Sequence, residues 1–411
     1  MADVYEKTTT APVNIAVIKY WGKRDTSLIL PTNSSLSVTL SQDQLRSKTT
    51  IRASKDFKTT RLWLNGVEEV NLENNKRLQA CLRSTRLLRK EYENSLSSAG
   101  HLNIPPLSEW NLHICSENNF PTAAGLASSA SGFACLVYTL AKLFELPTSI
   151  TDLSRIARQG SGSSCRSMFG GFVAWEMGNN ADGSDSQAVQ VASETHWPEL
   201  EALICVVSDL KKATSSTEGM QHTVNTSELL QYRISKVVPK RMHDIEAAIH
   251  ARDFKKFAEI TMRDSNQFHA VCMDTFPPIF YMNDVSRAII RLITEYNNSG
   301  DGTYKAAYTF DAGPNAVIYA PKKNIKEIIN LLAHYFPSTL DSNKEYFNDH
   351  ACLFSAEERI GQLSFPSGFN SQIIPVFPAG SVKQLLHTRV GEGPKILESD
   401  ESLLNSAGLP K

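Results

Sequence analysis

Apolar positions follow two different spacings along the chain and predict a mixture of strands and helices. Short apolar runs bounded by turn residues predict strands at residues 13–20, 35–40, 61–64, 112–116, 170–176, 202–208, 304–310 and 316–320. Apolar residues at helical spacing predict helices at residues 73–91, 133–146, 150–159, 228–236, 238–251 and 253–263. Because strands and helices do not alternate strictly, this order favours the α+β class.

Local turn signals and the length of the chain refine the picture. Asn65-Gly66 predicts a tight hairpin turn, Gly160 predicts a helix C-cap, and the polar segment 178–185 predicts a surface turn. The 411 residues exceed what one hydrophobic core usually organises. We therefore expect two domains, residues 1–195 and 196–411, with the boundary near residues 190–200.

Composition excludes several classes of protein. Hydrophobic residues make up 41% and charged residues 21%, and the net charge is −1, which disfavours disorder and a strongly basic nucleic-acid-binding protein. Seven scattered cysteines without metal-ligand spacing favour a reducing compartment and no protein-bound metal. The first residues lack the apolar core of a secretion signal, and the longest apolar stretch, 132–146, is too short for a bilayer. We expect a cytoplasmic protein without nucleic-acid or membrane partners.

The segment 120–132 leads directly into a predicted helix and is rich in small and hydroxyl residues. Gly125 permits close approach of a ligand, and three hydroxyls stand at the positive end of the helix dipole: Ser128, Ser129 and Ser131. That arrangement suits an anion, phosphate above all. It lacks the Gly-Lys-Ser/Thr ending of a Walker loop, and these residues fit close packing with an N-cap equally well.

Two other loops carry charged and hydroxyl groups. The loop at 19–25 is either a solvated hairpin loop or a diphosphate contact through Lys23 and the Tyr20 hydroxyl. Residues 160–166 are either a mobile linker or a nest of backbone N–H groups, in which Arg166 would clamp a carboxylate. The apolar strand that follows favours the second interpretation, with Cys165 as a packed thiol.

The remaining candidates carry strong structural alternatives. Asp311 lies in an Asp-Ala-Gly-Pro-Asn turn, where aspartate is a common turn former. The segment 208–220, which is rich in hydroxyl groups and lysines, also fits a plain polar loop. The predicted helix at 73–91 is basic, which fits a face exposed to solvent, although an arginine that points inward could bind an anion. Four histidines have no ligand spacing and are expected to be structural or surface residues: His222, His243, His250 and His269.

Taken together, these motifs resemble a known family. The segment at 121–131 resembles the Pro-x-x-x-Gly-Leu-x-Ser-Ser-x-Ser signature of the GHMP superfamily of small-molecule kinases. The stretches 11–25, 160–167 and 308–315 narrow the resemblance to the diphosphomevalonate decarboxylases within it. The likeness runs from about residue 5 to residue 410. It implies a two-domain fold, with an N-terminal domain like domain 2 of ribosomal protein S5 and a C-terminal ferredoxin-like sandwich domain.

The resemblance also assigns the site. It implies three catalytic residues: Asp311 at the tertiary hydroxyl of the substrate, Arg166 at the carboxylate that is lost, and Lys19. Its substrate contacts fall on Tyr20, Trp21, Gly22, Lys23, Arg77, Ser161, Gly162, Ser163, Ser164, Cys165, Arg166 and Thr217. Its ATP contacts fall on Gly125, Ser128, Ser129, Ser131 and Lys212.

The implied activity is ATP-dependent decarboxylation of (R)-5-diphosphomevalonate to isopentenyl diphosphate, in the mevalonate pathway of isoprenoid and sterol synthesis. Mg²⁺ would accompany ATP, and a homodimer is expected. Trp63 or Asn65 would line the adenine pocket. A kinase of the same superfamily that stops after phosphorylation, and a ligand sensor without catalysis, are the alternatives.

Overall fold

The structure is a computed structural model that describes most of the chain. It covers residues 4–120, 128–208, 213–300, 302–339 and 365–411, and between the last two ranges residues 346–347, 352–354, 358 and 360–361. The helices are α1 (Lys76–Ser98), α2 (Ser128–Leu143), α3 (Ile150–Gly160), α4 (Ser216–Thr226), α5 (Glu228–Tyr232), α6 (Val238–Ala251), α7 (Phe254–Asp274), α8 (Asp284–Asn298) and α9 (Lys322–Tyr335).

The strands are short and mostly antiparallel. They are β1 (Val4–Pro12), β2 (Asn14–Ile18), β3 (Lys23–Asp25), β4 (Leu30–Pro31), β5 (Ser35–Thr39), β6 (Arg46–Ser54), β7 (Arg61–Leu64), β8 (Val67–Glu68), β9 (Asn111–Asn118), β10 (Phe172–Trp175), β11 (Ala188–Ala192), β12 (Leu200–Val206), β13 (Ala307–Phe310), β14 (Ala316–Pro321), β15 (Gln384–Arg389) and β16 (Lys395–Leu397). We call the elements up to β11 the N-terminal half and those from β12 the C-terminal half.

Two sheets organise the N-terminal half. The larger has the order β16-β1-β6-β9-β7-β8, and helices α1, α2 and α3 pack on it around Leu82, Ile114 and Leu140. The buried positions of α1 recur every three to four residues, and the Asn75 side chain accepts a hydrogen bond from the Leu78 N–H to start that helix. The smaller sheet has the order β11-β10-β5-β2.

One core joins the two halves. The C-terminal half is built on a sheet of order β13-β14-β12-β15, with α8 and α9 packed on one face. Its other side shares a buried cluster with β2 and β5, in which Val17 and Val38 lie with Ile204, Phe257 and Tyr319. Helices α6 and α7 belong to this shared layer. The end of β2 is thereby brought beside α7 and the β13–β14 turn.

The pattern-based elements are confirmed in type, with shifted ends and several omissions. The Asn65-Gly66 hairpin and the 178–185 turn are present, and the predicted helices at 228–236 and 238–251 run together through a π-helical turn at Arg233–Val237. The C-cap prediction for Gly160 is wrong: Ser161 is the cap, and a Cβ on Gly160 would lie 2.1 Å from the Phe133 ring. Close packing explains this glycine.

The ranges predicted from the pattern do not cover the strands β1, β3, β4, β6, β8, β11, β15 and β16 or the helices α4, α8 and α9. The domain boundary near residues 190–200 remains a prediction. Within the described part of the chain, none of the helices combines the length and the apolar character needed to cross a bilayer.

Candidate active site

A lysine–aspartate pair joins the two halves of the molecule. Lys19 follows β2, and its Nζ donates to Asp311 Oδ1 at 2.6 Å and to the Ala16 carbonyl at 2.7 Å. The lysine side chain is buried, whereas 31% of the Asp311 side chain is exposed. Burial lowers the pKa of Lys19, and the Asp311 carboxylate opposes that effect. An accessible carboxylate is thus backed by a buried ammonium group.

Arg166 is a buried cation whose direct partners are neutral. It lies in a 3-10 helix, Gly162–Met168, and its Nε donates to Ser37 Oγ at 2.9 Å and to Asn14 Oδ1 at 3.3 Å. Its Nη1 donates to Ser35 Oγ at 2.6 Å. Burial lowers the pKa of Arg166, and the charge of Asp311 opposes the shift. Among the described residues, the hydrogen-bond partners of this buried guanidinium are neutral oxygens, which suits it to an anionic ligand.

Tyr20 lies near the charges of Arg166 and Arg77. Its ring packs against Trp175 with 4.6 Å between centroids, and its buried hydroxyl has no hydrogen-bond partner among the described residues. Burial raises the pKa of Tyr20, while the charges of Arg166 and Arg77 oppose that rise. A Cβ on Gly162 would lie 2.9 Å from the Tyr20 ring, so only glycine fits there. The neutral hydroxyl is available to a ligand.

A basic cleft of about 930 Å³ lies beside the loop that follows Tyr20. Lys23 and Arg77 line it together with Thr217, whose Oγ1 accepts from Arg77 Nη2 at 2.8 Å. Burial, and then the nearby Arg77 charge, lower the pKa of Lys23 to about 8. Gly22, which precedes Lys23, has a φ of +98°, a conformation that residues with a side chain rarely adopt. Two repelling cations beside a hydroxyl favour a phosphate or diphosphate ligand.

A second cavity lies at the start of α2. It has a volume of about 270 Å³ and is lined by Ser128, Ser129, Phe133 and apolar side chains of β7. Ser129 Oγ lies 3.1 Å from Ser161 Oγ, which connects this cavity to the 3-10 helix of Arg166. Asn65 lines it, but Trp63 does not: Trp63 points to the other face of β7 and packs on Cys115 and Leu404.

Several predicted contact residues have side chains turned inward. Ser131 is buried and accepts from Ser47 Oγ at 2.7 Å, so its hydroxyl anchors α2. Ser164 donates to the Ala157 carbonyl and Cys165 is packed on Trp175. Trp21 donates to Thr223 Oγ1 at 2.9 Å within the core. The side chains of these four residues are thus engaged within the fold, as was expected for Cys165, and their assignment as ligand contacts stays a prediction.

The other predicted residues are distributed as follows. Ser161 and Ser163 are half-buried, and the Ser163 carbonyl accepts from Asn14 at 3.1 Å. Gly125 and Lys212 lie outside the described residues. The residues that hold Arg166, namely Asn14, Ser35 and Ser37, were missed by sequence reasoning. The available signal was weak: Asn14 begins the apolar strand β2, and Ser35 and Ser37 alternate with apolar residues in β5, whereas the structure buries every residue of both strands.

Comparisons with known families agree over both halves. Residues 11–188 match the family described as "Diphosphomevalonate decarboxylase-like N-terminal domain". Residues 202–397 match the family described as "Mevalonate 5-diphosphate decarboxylase C-terminal domain". The diphosphomevalonate decarboxylase of Ganoderma lucidum is 60% identical over 411 residues, which cover 99% of this chain and 100% of the relative.

Solved structures of other proteins have a fold similar to that of this chain. The mevalonate diphosphate decarboxylase from Trypanosoma brucei is 41% identical with a TM-score of 0.85, covering 97% of this chain and 100% of that one. A structure of MDDEF in complex with MVAPP, AMPPCP and magnesium is 29% identical with a TM-score of 0.73, again over 97% and 100%.

Proposed function

The chain belongs to the diphosphomevalonate decarboxylase family, and we propose that it converts (R)-5-diphosphomevalonate and ATP to isopentenyl diphosphate, ADP, phosphate and CO₂. The reaction belongs to the mevalonate pathway of isoprenoid and sterol synthesis. The observation that carries the proposal is the cluster of Lys19, Arg166 and Asp311, whose charges act on one another although the sequence separates them widely.

The three polar parts of the substrate correspond to three groups of residues. Its diphosphate would lie in the basic cleft of Lys23, Arg77 and Thr217, with the Tyr20 hydroxyl as a further donor. Its carboxylate would pair with Arg166, which holds no direct carboxylate partner among the described residues. Its tertiary hydroxyl would then face Asp311. When both charged ends of the substrate are bound, its tertiary hydroxyl is held between them.

The chemistry follows from the poor leaving ability of a tertiary hydroxide. Asp311 accepts the proton of the substrate hydroxyl as its oxygen bonds to the γ-phosphorus of ATP, and the bond from that phosphorus to the ADP oxygen breaks. Lys19, 2.6 Å from the carboxylate, fixes its orientation. The C–O bond to the new phosphate then breaks with its electron pair, and the electrons of the C–C bond to the carboxylate form the alkene as CO₂ departs.

The nucleotide would occupy the cavity at the start of α2. The adenine ring fits the apolar walls beside Asn65 and Phe133, and the phosphates would lie at the Ser128–Ser129 helix start, where N–H groups and the dipole favour anions. Mg²⁺ prefers oxygen ligands, and the Ser129 and Ser161 hydroxyls at 3.1 Å provide such donors. When bound, Mg²⁺ neutralises phosphate charge; no cluster of acidic, histidine or cysteine ligands for it occurs in the described ranges.

Two finer proposals concern the environment of the chain. We infer a reducing, cytoplasmic location, since all seven cysteines are free. We also infer a homodimer, supported by exposed apolar side chains of α5, of the end of α7 and of the segment that follows α7: Leu229, Tyr232, Met273, Phe276 and Phe280. Light scattering on the wild-type protein and on Phe276→Ser tests it: a monomeric wild type contradicts the dimer.

A single assay tests the activity. Mevalonate 5-diphosphate labelled at its carboxylate carbon is incubated with ATP and Mg²⁺, and ADP and labelled CO₂ are measured together. We expect equal amounts of both. ADP without CO₂ would identify a kinase that stops after phosphorylation, and neither product would favour a ligand sensor.

A further inference from the structure

Two consecutive residues of α7 hold the backbone on both sides of the Lys19–Asp311 pair. Asp264 Oδ1 accepts the Lys19 N–H at 2.8 Å, and Ser265 Oγ accepts the Phe310 N–H at 3.0 Å. Phe310 immediately precedes Asp311 and ends β13, an edge strand. Asp264 and Ser265 are 0% and 1% exposed, so neither reaches the substrate site directly.

Asp264 is itself rigidly held. Arg233 donates to both of its carboxylate oxygens, at 2.8 and 2.9 Å, and Arg241 donates to Oδ2 at 2.9 Å. Burial raises the pKa of Asp264, but the two arginines outweigh it and the net pKa is lowered. Arg233 also donates to the Lys19 carbonyl at 3.0 Å. The C-terminal half therefore fixes both the N–H and the C=O of Lys19.

We propose that Asp264 and Ser265 are positioning residues for the reaction, and that they act through Lys19 and Asp311. One turn of one helix sets the place of the ammonium group through Lys19 and the place of the carboxylate through Phe310. Displacement of either by about 1 Å would misalign the carboxylate and the substrate hydroxyl, which costs up to about 100-fold in rate. The proposal rests on the proposed decarboxylation.

Ser265→Ala tests the proposal with a matched control on the same helix. Thr261 lies one turn earlier, is fully buried, and its Oγ1 has no hydrogen-bond partner among the described residues. We expect Ser265→Ala to lower kcat by roughly tenfold or more and to change KM for ATP and substrate by less than about threefold. Thr261→Val should keep kcat within about twofold. An unchanged kcat in Ser265→Ala would overturn the proposal.

A double-mutant cycle separates positioning from general weakening of the fold. In an Asp311→Asn background, single-turnover measurements should show that Ser265→Ala lowers the residual rate by less than about twofold, since its effect passes through Asp311. A loss equal to that in the wild-type background would overturn the proposal. Labelled CO₂ is followed for the wild type in the same series. Absent CO₂ there refutes the decarboxylation itself, whereas normal CO₂ with a normal rate in Ser265→Ala refutes only the positioning.

Discussion

Asp311 differs from most acids of the chain because it combines partial exposure with a buried cationic partner. Asp311→Asn keeps the shape of the side chain but removes its charge and its ability to accept a proton. We expect kcat to fall by roughly 10⁴-fold, a loss typical of a misoriented or missing catalytic carboxylate. Binding constants for ATP and substrate, measured by titration calorimetry, should change little.

The control for this variant is an exposed acid in a surface ion pair. Asp43 pairs with Arg389 at 3.1 Å, and its side chain is 71% exposed. Asp43→Asn should retain the wild-type rate of ADP release, since such pairs contribute little. A near-normal kcat in Asp311→Asn would contradict the assigned role.

The lowered pKa of Lys23 predicts how binding of the substrate depends on pH. Its pKa of about 8 means that the free protein carries this charge below pH 8 and loses it above. The dissociation constant of mevalonate 5-diphosphate should therefore rise above pH 8, by at most about tenfold per pH unit. Lys23→Arg, which stays charged, should flatten the profile, as calorimetry from about pH 6.5 to about pH 9.5 would show.

The matched control is Lys76→Arg, at an exposed position of the same cleft. It should leave the pH dependence as in the wild type. A wild-type dissociation constant that stays constant across pH 8 would show that Lys23 does not contact the diphosphate.

At the scale of elements, α2, α3 and the 3-10 helix pack closely together because residue 160 is a glycine and has no side chain. A methyl group on Gly160 would overlap the Phe133 ring, which also lines the cavity at the start of α2 that we propose for the nucleotide. Gly160→Ala should lower the free energy of unfolding by about 1–3 kcal/mol and raise KM for ATP. Gly132→Ala, in the same helix as Phe133 but with open space around its Cβ, should not destabilise the protein. Urea denaturation and steady-state kinetics check both.

The pattern of apolar residues predicts elements only where burial and hydrophobicity coincide. Helix α3 and strand β10 meet that condition and were found. The pattern did not predict strands β1 and β6, because their buried positions include threonines. These side chains can hydrogen-bond to one another, as Thr8 does with Thr50 at 2.9 Å. Such a strand looks polar in sequence although it is inside the fold.

The residues of the site also fall into those that the sequence indicates and those that it does not. The resemblance to a known family pointed to Lys19, Arg166 and Asp311, whereas the local pattern around each of them left a structural alternative open. Their supporting residues could not be found, because a contact such as Lys19 with Asp264 joins positions 245 residues apart. Only the packing of β2 against α7 brings these residues together.

At the scale of the whole molecule, the C-terminal segment ties the two halves together. After β15, the chain returns to the N-terminal half, where β16 pairs with β1 and Leu404 packs on Trp63 and Cys115. Leu404 is 2% exposed, so Leu404→Ala should lower the free energy of unfolding by about 2–5 kcal/mol. Leu409→Ala, at a 38% exposed position of the same segment, should have a much smaller effect.

The core that the two halves share also predicts how the protein unfolds. Because Val17 and Val38 pack with Phe257 and Tyr319, the halves should unfold in one transition. Circular dichroism and tryptophan fluorescence in urea should give coincident curves for the wild type and for Leu404→Ala. Two separated transitions would contradict this.

The pairing of β16 with β1 also bears on how the polypeptide tolerates being cut. A break between β11 and β12 would leave the second fragment holding the strand that completes the sheet of the first, and Asp264 and Arg233 holding the Lys19 backbone. Neither fragment would possess a whole catalytic apparatus. Co-expressed, they should assemble by strand complementation and regain turnover, which makes this linker a place to build a split reporter.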